Sequence, residues 1–537
     1  MDERFISLLY PTEESWIYHS DRMNLPNISE RVCDELGLQE IFNLKNSVLT
    51  DFFTAEPEVI LYRQEAIKDM MAIPELKEAL AKAHPILDDI QELRRLDTEN
   101  SSADSYLYSI TEIELYVSCI DSLRAGFLPI RSKIKSEAFG NLADFIFELS
   151  SSDYYKELVE KIESLASRVH EVKSITVGVN LDGQLHPSSA GVISINSEPF
   201  KSGKMLDKIL RLSFKNDAFT CIAELSPFGK GQSENKKEAL VGAFNSAIEE
   251  VFRSSVKGWR AIVGEYVLDS TDFLLKMLPE IEFVSRATEL MNQLSERLGC
   301  SVCMPAISPK EEKTFSAEGL YNPRVALAIE EKIISNDLCF DENARIYVLT
   351  GPNRGGKSVI TVALGAAQAL MQLGLPVPAK RAEISPVDGI FTHFPEGADD
   401  TIDKGRLGEE CARLKEIFDS VSCDSMILLD ESLSSTGAYE ASYIASEILT
   451  GFAAMRTRGI FSTHLHELAA RVSEINERSV ARGGVRIDTL VAGMDAGERS
   501  FKIHRMKPDG KSYAKDIADK YGLSFENIMA GQKEKKG

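Results

Sequence analysis

Residues 351–358 of the chain form the sequence GPNRGGKS, and the apolar run 346–350 precedes them. A glycine-rich loop of this form, placed between a buried strand and a helix, turns its backbone N–H groups toward phosphate oxygens. Lys357 would bring a positive charge to the β- and γ-phosphates, and the Ser358 hydroxyl is a ligand suited to Mg²⁺. The residues predicted to bind the nucleotide phosphates are Gly351, Pro352, Asn353, Arg354, Gly355, Gly356, Lys357 and Ser358.

Two further apolar runs end in residues that could act on a bound nucleotide. Residues 426–429 lead into Asp430 and Glu431. The first acid is placed to coordinate Mg²⁺, and the second to orient or deprotonate the attacking water. Residues 459–463 lead into His464, which is suited to sensing the γ-phosphate. Singly, the acids could be a solvated turn and the histidine an ordinary loop residue. Their order behind the phosphate loop predicts ATP binding and hydrolysis, with Asp430 a metal ligand and Glu431 and His464 catalytic.

The composition narrows the class of protein. A chain of 537 residues is long enough for about two to four domains. No stretch approaches the 18 consecutive apolar residues typical of a transmembrane helix, and the acidic N-terminal sequence does not resemble a secretory signal. We therefore expect a cytoplasmic protein without a membrane partner. Of eight cysteines, only Cys300 and Cys303 have metal-like or redox-like spacing, and buried reduced thiols are the better interpretation.

The charge distribution includes one basic segment that could contact nucleic acid. A net charge of −22 argues against a protein that coats nucleic acid, although affinity depends on local basic surface. Residues 201–237 contain eight basic and four acidic side chains in an otherwise acidic chain. A solvated helix face explains this excess about as well as phosphate contact does. The residues predicted to contact DNA are Lys201, Lys204, Lys208 and Arg211.

The elements that position these residues change along the chain. Apolar residues recur at helical spacing through most of the first 170 residues, where Pro57 and Pro74 are typical of helix starts. Residues 174–179 and 191–195 alternate as in paired strands, and a helical pattern returns over 236–298. From about residue 317, strands alternate with helices, which predicts a mostly parallel sheet.

The predicted fold is therefore an α/β P-loop ATPase domain at the C-terminus, preceded by a mainly α-helical region with a small β insertion. We expect a helical core domain over 1–170. Residues 171–300 would hold the small sheet and further long helices, and residues 301–537 the ATPase domain.

The motifs of the C-terminal half resemble those of the ATPase domain of the MutS family of DNA mismatch-repair proteins. TGPNRGGKS resembles the family's phosphate loop, LLDESLSSTGAYEA its segment with the metal-binding and catalytic acids, and FSTHLHEL its switch-histidine segment. Asn336 and Asp337 fall where the family has an Asn–Asp pair, and KPDGKSYAKDIADKYGLS resembles its dimer-stabilising segment. These matches cover about 200 residues in the family's order.

The resemblance implies an ABC-type ATPase that works as a DNA-binding, nucleoid-associated homodimer with ATP and Mg²⁺. Residues 171–300 would then supply lever helices and a reduced clamp-like segment. Gly405 and Arg406 correspond to the loop that contacts the nucleotide of the neighbouring subunit. The aromatic that stacks on adenine aligns near Ile333, so base stacking is either reduced or supplied by Tyr321.

The chain departs from the family pattern in the segment that would recognise a mismatched base. Mismatch-reading members carry an N-terminal domain with a Phe-x-Glu wedge, and the chain resembles a shortened member without that domain. The first 339 residues contain no Phe-x-Glu tripeptide; it occurs at 340–342 and 394–396, in the ATPase half. The partner is expected to be mismatched or branched duplex DNA. The alternatives are recognition of branched or recombination DNA without mismatch reading, and a nucleotide-gated protein scaffold without DNA binding.

Overall fold

The structure, a computed structural model, describes residues 5–45, 47–99, 104–170, 174–184, 187–199, 201–202, 220–221, 272–297, 299–352, 354–395, 406–495 and 498–507. The α-helices of this part are α1 (Glu13–Ser20), α2 (Glu30–Glu35), α3 (Leu38–Phe42), α4 (Pro57–Ala72), α5 (Pro74–Glu99), α6 (Asp104–Phe127), α7 (Glu137–Ser151), α8 (Asp153–His170), α9 (272–295), α10 (Pro323–Ala328), α11 (Lys357–Gln372), α12 (Arg406–Ser420), α13 (Ala438–Ala454), α14 (His466–Ala470) and α15 (Val472–Val480).

The strands follow the same chain order. They are β1 (Ser174–Leu181), β2 (Pro187–Asn196), β3 (Lys201–Ser202), β4 (Thr220–Cys221), β5 (Ala306–Ile307), β6 (Phe315–Leu320), β7 (Asn336–Phe340), β8 (Ile346–Thr350), β9 (Arg381–Ile384), β10 (Ile390–His393), β11 (Met426–Asp430), β12 (Arg458–Ser462), β13 (Ile487–Asp495) and β14 (Glu498–Arg505). In the described part of the chain, no helix is both long and apolar enough to cross a membrane.

The chain divides into two compact units that are discontinuous in sequence. The first comprises residues 1–74, 134–140 and 282–537, and the second residues 75–133 and 141–281. The division groups the first 74 residues with the ATPase half. The three-domain division at 170 and 300 stays a prediction.

The second unit is largely helical, with a β-hairpin. Helices α5 and α6 touch where a Cβ added to Gly126 would lie 2.5 Å from Ala79 Cβ, so only glycine allows that approach. The Tyr155 hydroxyl on α8 donates to Val117 O of α6 at 3.1 Å. Strands β1 and β2 pair antiparallel, as the sequence predicted.

The first unit contains two sheets. Its six-stranded sheet has the order β10-β11-β12-β8-β13-β14, and only the last pair is antiparallel. This confirms the mostly parallel sheet. The four-stranded sheet, in the order β5-β9-β6-β7, was not anticipated.

Buried side chains on opposite faces of the central strands pack the six-stranded sheet against helices. Ile427 and Leu429 of β11 join a core cluster with residues of α12 and α13. Between them, Leu428 lies against α11, where a Cβ on Gly365 would be 2.5 Å from Leu428 Cδ1. Strands buried on both faces are apolar at every position, which explains the continuous run in the sequence.

The cysteine prediction is confirmed in part. Cys33, Cys119, Cys300, Cys303, Cys339, Cys411 and Cys423 are free thiols. Cys33 and Cys119 are buried, whereas the expectation of burial is wrong for Cys339 and Cys423, which are exposed. Cys339 alternates outward on β7, so its strand position exposes it.

Candidate nucleotide site

The phosphate loop connects β8 to α11, as the sequence predicted. Gly351 has φ 141°, and a Cβ there would lie 2.6 Å from Ala492 Cβ. Gly356 has φ 91° and is the N-cap of α11. Arg354 also has positive φ, at 59°, with its side chain exposed. The loop thus reaches the N-terminus of a long helix, where backbone N–H groups and the helix dipole favour anions.

Lys357 lies at the start of α11 with 3% of its surface exposed. Its Nζ donates to Gly351 O and Pro352 O, each at 3.2 Å, so the ammonium lies inside the loop. Burial lowers the pKa of Lys357, while the charges of Glu431 and Asp430 act in the opposite direction. The loop, the lysine and the two acids therefore belong to one electrostatic site.

Asp430 ends β11 and is 6% exposed. Burial raises the pKa of Asp430 to about 6, and Glu431 adds to the rise. The Ser358 hydroxyl, which donates to the carboxylate, and Lys357 oppose it. Asp430 Oδ1 has no hydrogen-bond partner among the described residues. A buried carboxylate beside a hydroxyl, with one oxygen left over, fits Mg²⁺, which binds few protein ligands and completes its shell with phosphates and water. The described residues form no cluster of three or more His, Cys, Asp and Glu side chains that could hold a metal ion by itself.

Glu431 begins the turn after β11 in a left-handed conformation, with φ 46°. Its backbone N–H donates to Ser462 O of β12 at 2.8 Å. Leu433 is also left-handed, with φ 66°, and is 1% exposed. Non-glycine residues rarely adopt this geometry, and pairs of them are typical of functional sites.

The end of β12 is joined to the first turns of α11. The Thr361 and Ser462 hydroxyls are 2.6 Å apart, and Thr361 Oγ1 also donates to Lys357 O at 3.1 Å. Thr463 N donates to Leu349 O of β8. His464 follows, exposed, in a bend after the strand. The site residues predicted from three separate runs thus follow three neighbouring parallel strands at one sheet edge.

Sequence reasoning missed Phe501 of β14, which lies beside the phosphate loop. Phe501 is 42% exposed, and a Cβ on Gly356 would be 3.7 Å from its Cδ1 atom. Its φ is 55°, and Asn336 Nδ2 donates to its carbonyl at 3.1 Å while Asn336 Oδ1 accepts from Ile503 N at 2.8 Å. The Asn336–Asp337 pair was a sequence signal that this region matters. The sequence could not show that Asn336 binds the strand that contains Phe501, 165 residues away.

A second missed feature is the buried contact between His393 and Ser432. The His393 Nδ1 and Ser432 Oγ atoms are 2.8 Å apart, and the side chains are 3% and 4% exposed. Burial lowers the pKa of His393 to about 4, with the Arg413 charge adding to the effect, so the imidazole is neutral at pH 7. Nothing in the sequence connected residue 393 with the turn after Glu431.

Tyr321 is not exposed to stack on a base. It is 2% exposed, and its backbone N–H donates to Pro378 O at 3.1 Å. Burial raises the pKa of the Tyr321 phenol, with the nearby Cys300 and Cys303 thiols contributing. Adenine stacking on Tyr321 stays a prediction, and this conformation offers no exposed ring for it.

Several predicted residues lie outside the described part of the chain. Arg406 is the first residue of α12, and Lys201 begins β3, but their side chains are not described. Those outside altogether are Asn353, Gly405, Lys204, Lys208, Arg211 and, from residue 508 onward, the segment predicted to stabilise a dimer. Their roles stay predictions.

Two family models match separate segments of the chain. The model for MutS domain V matches residues 347–522, and the model for the MutS2 N-terminal domain matches residues 55–297. A "DNA mismatch repair protein MutS" of Synechococcus sp. (strain CC9902) is 32% identical over 238 residues, 43% of this chain and 25% of the relative.

Other curated relatives match over similarly partial lengths. A "DNA mismatch repair protein MutS" of Prochlorococcus marinus (strain MIT 9312) is 35% identical over 149 residues, 27% of this chain and 16% of that protein. A "DNA mismatch repair protein MutS 1" of Haloarcula marismortui is 30% identical over 224 residues, 41% of this chain and 24% of that protein. The chain thus spans a quarter or less of the length of each of these relatives.

Proposed function

This chain belongs to the MutS family, and on that premise we propose that it is a DNA-associated ATPase whose nucleotide cycle switches a homodimer on DNA. The observation that carries the proposal is the convergence of Lys357, Asp430 and Glu431 at one sheet edge, where their charges interact. Such an arrangement can bind phosphates, hold a metal and present a base to water.

Each residue of the site has a separate role in the proposed hydrolysis. Lys357 would exchange its contacts with the loop carbonyls for phosphate oxygens, and Ser358 and Asp430 would hold Mg²⁺. The metal, when bound, neutralises phosphate charge in the transition state. Glu431 orients the attacking water and accepts its proton. Phe501, exposed beside Gly356, contacts the base or the sugar of the nucleotide.

The proposed switch acts between subunits. His464 responds to the γ-phosphate, and Gly405 or Arg406 of one subunit contacts the nucleotide of the other. The segment from Lys507 onward stabilises the dimer. Composite sites of this kind would change the angle between subunits on ATP binding, and lever helices would carry the change to DNA.

The proposed DNA substrate is branched, looped or bent duplex recognised by shape. The favouring observation is the match of residues 55–297 to the MutS2 N-terminal model, while the MutS relatives align over less than half of the chain. Phosphate contacts from Lys201, Lys204, Lys208 and Arg211 would position DNA without reading bases. Mismatch repair through mismatch reading is the second candidate, which the names of the relatives favour.

ATP turnover and ATP binding together test the enzymatic proposal. We expect Glu431→Ala to bind ATP with an affinity near wild type and to hydrolyse it at least about 100-fold more slowly, because the water loses its base. Lys357→Ala should lose binding itself. Wild-type turnover in Glu431→Ala would exclude the assigned base, and a wild type without ATP hydrolysis would exclude the enzyme.

Binding to a panel of DNA substrates at several salt concentrations tests recognition. Four-way junction or looped DNA should bind more tightly than homoduplex, and a G·T mismatch should differ from homoduplex by less than about tenfold. Neutralising Lys204, Lys208 and Arg211 together should weaken every substrate and flatten the salt dependence. A strong G·T preference that survives this change would support mismatch reading, and no salt-dependent affinity would support a protein scaffold.

A further inference from the structure

The turn that carries Glu431 is tied to the neighbouring strand by one side-chain pair. Ser432 follows the proposed base directly, and its Oγ atom lies 2.8 Å from His393 Nδ1 at the end of β10. The same hydroxyl lies within donating distance of His393 O, at 3.2 Å. Because both side chains are buried, water does not compete for these contacts, and a lost partner leaves a polar group unsatisfied.

The backbone of this turn needs external support. Glu431 and Leu433 both have positive φ, a geometry that persists in non-glycine residues only where the surroundings enforce it. On one side, Glu431 N–H donates to Ser462 O of β12. On the other side, the Ser432–His393 pair reaches β10. The turn is therefore held between two strands, through Glu431 itself on one side and through the next residue, Ser432, on the other.

His393 is itself held in place through its flanking carbonyls. Arg413 of α12 donates to Thr392 O at 3.1 Å and to Phe394 O at 3.3 Å, on either side of the histidine. The guanidinium also pairs with Glu35 of α2 at 2.6 Å. A planar guanidinium with several fixed donors defines the end of β10 more rigidly than one hydrogen bond would. The histidine therefore offers Ser432 a fixed partner.

We propose that His393 and Ser432 are positioning residues for ATP hydrolysis, which hold the Glu431 carboxylate where it meets the attacking water. The proposal rests on the proposed function, since it assigns a support to the base of that reaction. Among the described residues, neither side chain makes a hydrogen bond to the phosphate loop, so we assign the pair's effect to Glu431. Loss of the pair lets the turn relax and moves the carboxylate, which slows the chemical step and leaves the loop's contacts with ATP intact.

Because His393 makes the contact through Nδ1 and not Nε2, asparagine and glutamine at this position should have different effects. An asparagine amide places a polar atom close to the position of Nδ1, whereas a glutamine amide places one close to Nε2. His393→Asn therefore keeps a partner for Ser432, and His393→Gln does not. Ser432→Ala removes the other half of the pair, and Ser434→Ala, at an exposed serine of the same turn, is the matched control.

Steady-state ATP hydrolysis by the full chain separates positioning from a general structural role. Ser432→Ala and His393→Gln should each lower kcat at least about tenfold with KM for ATP within about twofold of wild type. His393→Asn should stay within about threefold of wild-type kcat, and Ser434→Ala should match wild type. Wild-type kcat in Ser432→Ala and His393→Gln overturns the proposal. Equal losses in His393→Asn and His393→Gln overturn it also, because rescue depends on the Nδ1 position.

Crystal structures of the wild type and Ser432→Ala give a readout independent of turnover. We expect Glu431 to leave the left-handed region or its carboxylate to move in the variant. An unchanged Glu431 overturns the proposal even where the variant is slow. If the wild type hydrolyses no ATP, the proposed function fails, and the two crystal structures still decide whether the pair holds Glu431.

Discussion

Two turns at the same edge of the six-stranded sheet contain left-handed backbone, and they obtain it differently. Of the three such positions described in the phosphate loop after β8, two are glycines, Gly351 and Gly356, and the third is the exposed Arg354. The turn after β11 uses Glu431 and Leu433, which lack that freedom. Glycine adopts positive φ at little steric cost, whereas other residues must be held there by contacts.

The difference separates a locally encoded loop from one that depends on the rest of the fold. The glycines of the phosphate loop can adopt positive φ without support from other residues. At Gly351 the close approach of Ala492 also excludes any side chain. The turn at Glu431 is supported by Ser462 of β12 and by His393 of β10, which are distant in sequence. A proposed catalytic carboxylate is thus presented by tertiary contacts, and substitutions should affect the two turns differently.

The largest effect is expected from Gly351→Ala. The new Cβ would lie 2.6 Å from Ala492 Cβ and 3.0 Å from its backbone nitrogen, at φ 141°. We expect the free energy of unfolding to fall by about 2–4 kcal/mol and ATP binding to be lost. Urea unfolding and ATP titration measure both.

A matched control for this change is Gly140→Ala on α7. A Cβ there meets nothing within 4 Å, so alanine should instead stabilise the helix by up to about 1 kcal/mol. Equal effects of the two substitutions would refute the assigned role of Gly351.

The next largest effect is expected in the pH dependence of the free energy of unfolding, to which His393 contributes. Its folded-state pKa is about 4, below the unfolded value of about 6.5. Unfolding therefore binds a proton as the pH falls below 6.5, and stability drops. His393→Asn lacks this proton uptake, so the wild type should lose roughly 2 kcal/mol relative to the variant between pH 7.5 and pH 5. Urea unfolding at both pH values tests this, and parallel losses in both proteins would contradict it.

A smaller difference in the free energy of unfolding is expected between Glu431→Gly and Glu431→Ala. Both remove the carboxylate, but only glycine removes the strain at φ 46°. We expect the glycine variant to be more stable by about 1 kcal/mol, the reverse of the usual order of these residues. Denaturant midpoints of the two variants provide the measurement. A more stable alanine variant would mean that residue 431 is not held in the left-handed region.

The smallest effect is expected at Arg354, a non-glycine residue of the phosphate loop with positive φ. Because its side chain is exposed, glycine relieves the strain without loss of packing. We expect Arg354→Gly to raise the free energy of unfolding by about 0.5 kcal/mol and Arg354→Ala to leave it nearly unchanged. Calorimetry of the three proteins would test this order. Destabilisation by glycine would indicate that the arginine makes contacts in solution that hold the loop.

Much of the site could be predicted from short segments, because each motif follows its own strand. Parallel strands share an edge for their carboxyl ends, so Lys357, Asp430 and His464 could be assigned to one region from order alone. Phe501 and His393 could not, since each reaches the site through contacts with residues far away in the chain. Tyr321 illustrates the converse, because an aromatic suited to stacking by its type is buried beneath the surface.

The sequence by itself determined the phosphate loop, the acids at the end of β11, the hairpin of β1 and β2 and the helical character of the N-terminal half. These features depend on local properties, namely glycine freedom, continuous apolar runs and periodic spacing. The tertiary structure alone decided which side chains became buried partners. The proton affinity of Asp430, the strained conformation of Glu431 and the contact of His393 with Ser432 arise because packing removes water and brings together residues distant in sequence.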